Sequence, residues 1–259
     1  MHRFFVDAEA RTGQNVLLTG EQAHQIARVL KLRVGEEVVL IATGQIGESA
    51  VECKVRLQSV EARAMHGTVT ATRAVLPEAA CAVMLCVAPL KGERFDWLIQ
   101  KATELGVAAI QPVLTARTVR RTRGEDSGAL TRWRRIATEA AEQSGRGIVP
   151  VLLTPASLLT VVTRGPVMIA HEGITGHTAP TLTAILAPDA TAVSLFIGPE
   201  GGFGEDEVAA VVAHYGAIAV SLGPRVLRAE TAAITAVTLA LVATGGMQPP
   251  TSRLWVEQD

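Results

Sequence analysis

The chain has 259 residues, room for one large domain or two modest ones at roughly 100–200 residues each. With 48% hydrophobic and 19% charged residues it is globular rather than disordered, and long enough to fold without disulfides or a structural metal. Its 24 basic and 25 acidic residues exclude a uniformly basic nucleic-acid coat but not a local basic surface, because partners feel the distribution of charge.

That distribution is uneven. Residues 1–73 carry 9 basic and 8 acidic groups, residues 91–148 carry 11 and 7, and residues 164–259 carry 4 and 9. The opening MHRFFVDAEA places Arg3 and Asp7 where a secretory leader would be apolar. The longest uncharged stretch, 231–252, is interrupted by Gly245-Gly246 and Pro249-Pro250, leaving less than the ~20 apolar residues of a membrane span. Cys53, Cys81 and Cys86 cannot all pair and have no zinc spacing. These features predict a cytoplasmic protein with no membrane segment and no metal.

Up to residue 73, short alternating segments (EEVVLIATG, SAVECKVRLQSV, HGTVTATRAV) predict a small antiparallel sheet, with one helix at 21–32 whose apolar face is Ala23, Ile26, Ala27 and Leu30. A strand-rich module of this size reads as a small barrel. After Pro77 the rhythm becomes strand, helix, strand, helix. CAVMLCVAPL is followed by a helix at 94–105, strand VAAIQPVL, a helix at 130–144 and strands PVMIA and AVSLFIG. A helix at 205–215, strand AIAVSLG and a helix at 231–244 complete the series. The alternation predicts a parallel sheet with helices on both faces, hence an α/β fold.

Neither G-x-G-x-x-G nor a Gly-Lys phosphate loop occurs, which opposes a dinucleotide-dependent oxidoreductase. His171-Glu172 with His177 lacks the four-residue spacing of a zinc-binding helix. Two strand-to-helix loops stand out. Gly198-Pro199-Glu200-Gly201-Gly202-Phe203-Gly204 follows strand SLFI, at the strand end where α/β proteins bind ligands; it is either a ligand cradle or a tight connection. Leu222-Gly223-Pro224-Arg225-Val226-Leu227-Arg228-Ala229-Glu230 follows the last strand, and Arg228 with Glu230 is either functional or a helix-capping pair. Seven arginines fall within 117–135, against four lysines in the whole chain. Arginine's planar fork suits phosphate, so this cluster points to nucleic acid.

KGERFDW (91–97), QKATELGVAAIQPV (100–113), RWRRIATEAAEQSGR (132–146), IGPEGGFGEDE (197–207) and SLGPRVLRAETAA (221–233) resemble the ribosomal RNA small subunit methyltransferase E family, of the SPOUT (α/β-knot) class. HRFFV and HQIARVLKLRVGEEV near the N-terminus match as well. The resemblance implies a PUA-like RNA-binding β-barrel over 1–73 and a SPOUT domain over 74–259 with a trefoil knot at about 195–245. It further implies a homodimer that uses S-adenosylmethionine to methylate N3 of a specific uridine in 16S rRNA, within the small ribosomal subunit. By motif, the cofactor would touch Ala88, Leu90, Ile197, Gly198, Pro199, Glu200, Gly201, Gly202, Leu222, Gly223, Val226, Leu227 and Arg228. Arg228 would stabilise charge developing on the base, while Glu200 would either accept a proton or fix one end of the cofactor. RNA would meet Arg3, His24, Arg28, Lys31 and Arg33 on the barrel. On the catalytic domain it would meet Lys91, Arg94, Arg117, Arg120, Arg121, Arg123, Arg132, Arg135 and Arg146. The alternatives are a SPOUT enzyme acting on another RNA, and a non-catalytic RNA-binding assembly factor.

Overall fold

The computed structural model describes residues 1–43, 51–118, 127–171, 180–248 and 254–258. The chain divides into two compact units, one of Met1–Pro77 with Ala141–Ile148 and Pro249–Asp259, the other of Glu78–Ala140 with Val149–Gln248.

In the first unit, strands β1 (Arg3–Asp7), β2 (Arg11–Thr12), β3 (Asn15–Thr19), β4 (Glu37–Thr43), β5 (Val51–Val60) and β6 (Ala64–Ala74) form one sheet in the order β1-β4-β5-β6-β3-β2. Alternation sets the buried face: Phe4 and Val6 of β1, Val16 and Leu18 of β3, and Leu40 of β4 point into a core that also holds Val55, Met65 and Ile26. The three segments expected to form an antiparallel sheet, β4, β5 and β6, do so, and β1 adds in parallel beside β4. The barrel expectation is corrected: no pairing among the described residues joins β1 to β2, so the sheet is open rather than a closed barrel. The helix expected over 21–32 is a short α1 (Gly20–His24) running into a π-helical turn, Gln25–Val29. Ala23 and Ile26 remain its buried residues.

The end of the chain returns to this unit. Val256–Glu257 pairs antiparallel with β6, Gln258 N–H donates to Thr70 O at 2.9 Å, and the Trp255 ring lies 4.2 Å from the Arg73 guanidinium carbon. Inside the sheet, the fully buried Glu52 accepts from Arg3 Nη2 at 2.8 Å and from Arg73 Nε at 2.5 Å. Burial alone would raise the Glu52 carboxyl's pKa, but the two guanidinium groups together outweigh it and hold the group below its ordinary value.

The second unit contains β7 (Ala82–Val87), α2 (Arg94–Leu105), β8 (Ala109–Leu114), α3 (Ser127–Ser144), β9 (Val151–Leu152), β10 (Ala156–Ser157), β11 (Val167–Ala170), α4 (Leu182–Ile185), β12 (Ala192–Ile197), α5 (Glu205–Tyr215), β13 (Ile218–Val220) and α6 (Ala229–Ala243). The sheet order is β10-β8-β7-β12-β11-β13, with every described pairing parallel. β7 and β12 sit in the middle and are apolar on both faces, as central parallel strands must be. Val83, Leu85, Val193 and Leu195 share one core with Phe95, Leu98 and Ile99 of α2 and Ala233, Ala236 and Val237 of α6. Met84, Cys86 and Phe196 face the other way, with Val211 of α5. The helices that follow the adjacent strands β7 and β12 thus belong to opposite faces. No described helix is long and apolar enough to cross a membrane.

Candidate active site

The parallel strands aim their carboxyl ends, and the loops that follow them, at a single cleft. It is lined from the end of β11 (Ala170, His171), from the loop after β12 (Ile197, Gly198, Pro199, Glu200, Gly202, Phe203) and from the segment between β13 and α6 (Val220 to Gly223, Arg225, Val226, Leu227, Ala229), with Ala232 one turn further on. β11 lies between β12 and β13 in the sheet, which brings the two loops singled out in the sequence to opposite walls of this cleft.

Glycine is required on both walls. A Cβ on Gly198 would stand 3.0 Å from the Phe203 nitrogen and 3.1 Å from the Gly202 carbonyl carbon, so the loop would have to open by a few tenths of an ångström to admit one. Gly202, at φ +67°, closes a tight turn by donating its N–H to Pro199 O at 2.9 Å. On the other wall Gly223 has φ +126° and donates its N–H to Ser221 Oγ at 3.2 Å.

A set of side-chain clips holds the β12 loop. Glu200 Oε1 accepts the Lys91 N–H at 3.2 Å and lies 3.6 Å from Arg94 Nη1. Arg117 Nη1 donates to Gly201 O at 2.6 Å. Glu207 accepts the Gly204 N–H through Oε2, capping α5, and the Ala116 N–H through Oε1. The loops after β7 and β8 are therefore fastened to the glycine loop. Glu207, which the motif reading left out, is visible in the sequence only as the third residue of a helix that begins after Gly204.

The other sequence-derived cofactor residues fall around the cleft rather than in its lining. Ala88 and Leu90 are fully buried behind it, with Ala88 N–H donating to Ile197 O at 3.2 Å. Gly201 is at the rim on the Arg117 clip. Arg228 is the exposed N-cap residue of α6, and its side chain makes no cap bond. No ion pair joins Arg228 to Glu230 among the described residues; Glu230 Oε2 is buried without a partner, so the capping-pair alternative is not realised. His171 and Ser221 are lining residues that the motif reading did not select, although His171 follows the predicted strand PVMIA and Ser221 lies near the end of the predicted strand AIAVSLG.

The basic residues divide by environment. His24, Arg28, Lys31 and Arg33 of the first unit are exposed, as are Lys91, Arg94, Arg117, Arg132 and Arg135 of the second. Arg132 pairs with Asp96, and Arg135 with Glu139. Lys31 has φ +53°, alone among described non-glycine residues in the left-handed region. Arg3 and Arg146 depart from expectation. Arg3 is spent on Glu52 and on Gly145 O, and Arg146 is 7% exposed, so both are largely withdrawn from solvent. Arg120, Arg121 and Arg123 lie outside the described residues. Among the described residues no group of His, Cys, Asp and Glu side chains is arranged to hold a metal.

The RNA methyltransferase domain family matches residues 77–241, the span that carries the parallel sheet and its cleft. The chain is therefore an RNA methyltransferase by class. Ribosomal RNA small subunit methyltransferase E of Mycobacterium bovis is 35% identical over 244 residues, covering 90% of this chain and 88% of that protein. The Bacillus subtilis protein of the same name is 30% identical over 251 residues, covering 92% and 95%. Among solved structures, the putative methyltransferase Lpg2936 from Legionella pneumophila, in complex with S-adenosylmethionine, superposes with a TM-score of 0.82 at 31% identity, covering 93% of this chain and 97% of that one. The Neisseria gonorrhoeae ribosomal RNA small subunit methyltransferase E bound to S-adenosylmethionine gives 0.79 at 28% identity, covering 93% and 97%. This chain belongs to the ribosomal RNA small subunit methyltransferase E family.

Proposed function

We propose that this protein transfers the methyl group of S-adenosylmethionine to N3 of a specific uridine in 16S rRNA of the small ribosomal subunit, in the cytoplasm. The observation that carries the reading is the glycine-walled cleft at the carboxyl ends of β11, β12 and β13, in a chain whose relatives methylate small-subunit rRNA. The cleft fits the cofactor. Gly198, Gly202 and Gly223 let backbone amides and carbonyls approach a ligand closely. Leu222, Val226 and Leu227 offer an apolar wall for a flat heterocycle, and a polar side chain, His171, lies among them.

When bound, S-adenosylmethionine supplies an electrophilic methyl group on a sulfonium. The chain's own task is to align a nucleophile with it and to exclude competing water. Uridine N3 lies on the Watson–Crick edge, so the base must be unpaired to be reached, which favours a splayed base in an RNA loop. The exposed guanidinium of Arg228, at the mouth-side start of α6, is suited to stabilise negative charge on that base. Glu200 is already engaged by the Lys91 amide and Arg94, which supports a positioning role for it over that of proton acceptor.

The first unit is read as the PUA-like RNA-holding module, and residues 195–245 as the trefoil knot of the SPOUT class. The late insertion of β12 between β7 and the earlier-laid β11 supports the knot. The exposed basic residues of both units serve RNA phosphates, each contributing a salt-sensitive increment to affinity. A second copy of the chain is the expected partner of α6, whose single charged residue is Glu230 and whose Val242 is 56% exposed.

The test is methyl transfer from labelled S-adenosylmethionine to small subunits lacking the modification, alongside naked 16S rRNA and tRNA, with the product nucleoside identified by mass spectrometry. N3-methyluridine formed mainly on subunits is the expected result. Transfer to tRNA alone, or another methylated nucleoside, would overturn the substrate assignment. Absence of both transfer and cofactor binding would favour an RNA-binding assembly factor.

A further inference from the structure

Among the described residues, the cleft contains one polar side-chain atom left without a hydrogen bond. His171 lines the cleft directly after β11, and its Nδ1 is buried with no partner among those residues. The other polar lining side chains differ. Ser221 Oγ is tied to the backbone of Gly223 at 3.2 Å, Glu200 is held by the Lys91 amide, and Arg225 is exposed to solvent. A buried ring nitrogen without a partner costs free energy in the empty protein, and native structures rarely tolerate one without a use. The surrounding walls at this point are apolar side chains and backbone already committed to the sheet: Ile197 of β12 and Val220 of β13 flank the end of β11. No other described residue satisfies the nitrogen, which leaves that to an occupant of the cleft.

We infer that His171 is a cofactor-positioning residue whose Nδ1 hydrogen-bonds a polar group of bound S-adenosylmethionine. The inference rests on the cofactor reading above. An imidazole nitrogen can donate or accept according to tautomer, so it is matched to a hydroxyl, amine or carboxylate of the ligand, and it has no partner until one arrives. His171 thereby penalises the empty cleft and rewards the filled one, which makes it a device for affinity and orientation rather than for fold stability.

The experiment compares wild type, His171→Leu and His171→Asn by titration calorimetry with S-adenosylmethionine, and by thermal melting without ligand. Leucine removes the nitrogen and keeps bulk. Asparagine carries a hydrogen-bonding atom on Cγ, where histidine carries Nδ1. We expect His171→Leu to weaken cofactor binding about tenfold while its ligand-free melting temperature stays level or rises, and His171→Asn to recover most of the affinity. Equal affinity in wild type and His171→Leu would overturn the inference. So would a drop in ligand-free melting temperature in His171→Leu with no recovery of binding in His171→Asn, since that pattern belongs to a purely structural histidine. A wild type that fails to bind S-adenosylmethionine would remove the cofactor reading itself, and this role with it.

Discussion

Replacing Glu52 by Gln tests whether the first unit depends on its buried charge cluster. The carboxylate is fully buried, while Arg3 and Arg73 retain 13% and 20% of their side-chain exposure. A charge-assisted hydrogen bond is worth about 1.5–3 kcal/mol. Glutamine keeps one neutral acceptor and loses the compensating charge, leaving two guanidinium groups facing each other across it. Breaking a fully buried pair costs about 3–5 kcal/mol. The residual exposure of both arginines places this case lower, at about 2–3 kcal/mol. The assay is urea unfolding at several pH values, followed by the fluorescence of Trp255, which stacks on Arg73, with Trp97 and Trp133 replaced by Phe in both proteins compared. The pH dependence has a definite sign. The two guanidinium groups hold the folded carboxyl below its ordinary value, so the unfolded chain binds the proton first and the wild type loses this stabilisation as pH falls through and below the ordinary carboxylate range. The gap between wild type and Glu52→Gln should be constant from pH 7 to about 5 and narrow in more acidic solution. A gap under about 1 kcal/mol at pH 7, or one that widens on acidification, would refute the reasoning.

Three further outcomes follow from the site and its surroundings. Lys31→Gly should raise stability by about 1 kcal/mol, because glycine adopts the left-handed φ without penalty, while weakening RNA binding and lowering its salt dependence; calorimetric melting and filter binding at two salt concentrations read the two effects. Gly198→Ala should weaken S-adenosylmethionine binding about tenfold by calorimetry, since the loop must open by a few tenths of an ångström to admit a Cβ 3.0 Å from backbone; unchanged affinity would show that the loop is not a cradle. Arg228→Ala should lower turnover on small subunits by about a hundredfold and leave cofactor affinity and helix content unchanged, because the side chain caps nothing; full turnover would exclude its role.

Much of the second unit was legible because its signals are local. The apolar spacing and terminal Gly106 place α2 at Arg94–Leu105, as expected, and Gly216 likewise ends α5 at Tyr215. β7 reads as a doubly buried strand because CAVMLCVAPL is apolar without alternation. α6 begins two residues before its expected start because Arg228 takes the N-cap position in extended conformation, and no local preference marks arginine as a cap. Strand order was not legible, since nothing local tells β12 to insert between β7 and β11. The same holds for Arg3, which reads as a surface cation until Glu52, 49 residues away, is folded beside it. In the site, the glycine loops announced themselves by composition. His171 did not, because a single histidine at a strand end has no pattern, and its meaning lies in a missing hydrogen bond.

The tail strand at Val256–Glu257 has a consequence for how the molecule is made. The unit built on Met1–Pro77 also takes in residues 141–148 and the strand at Val256–Glu257. On a growing polypeptide the Ala71–Thr72 stretch of β6 must wait for its second strand neighbour, and Arg73 for its indole, until the intervening unit has been synthesised. The part begun first is finished last. Emergence of residues 255–258, rather than folding of the strands before residue 74, then sets the moment at which the first unit is complete.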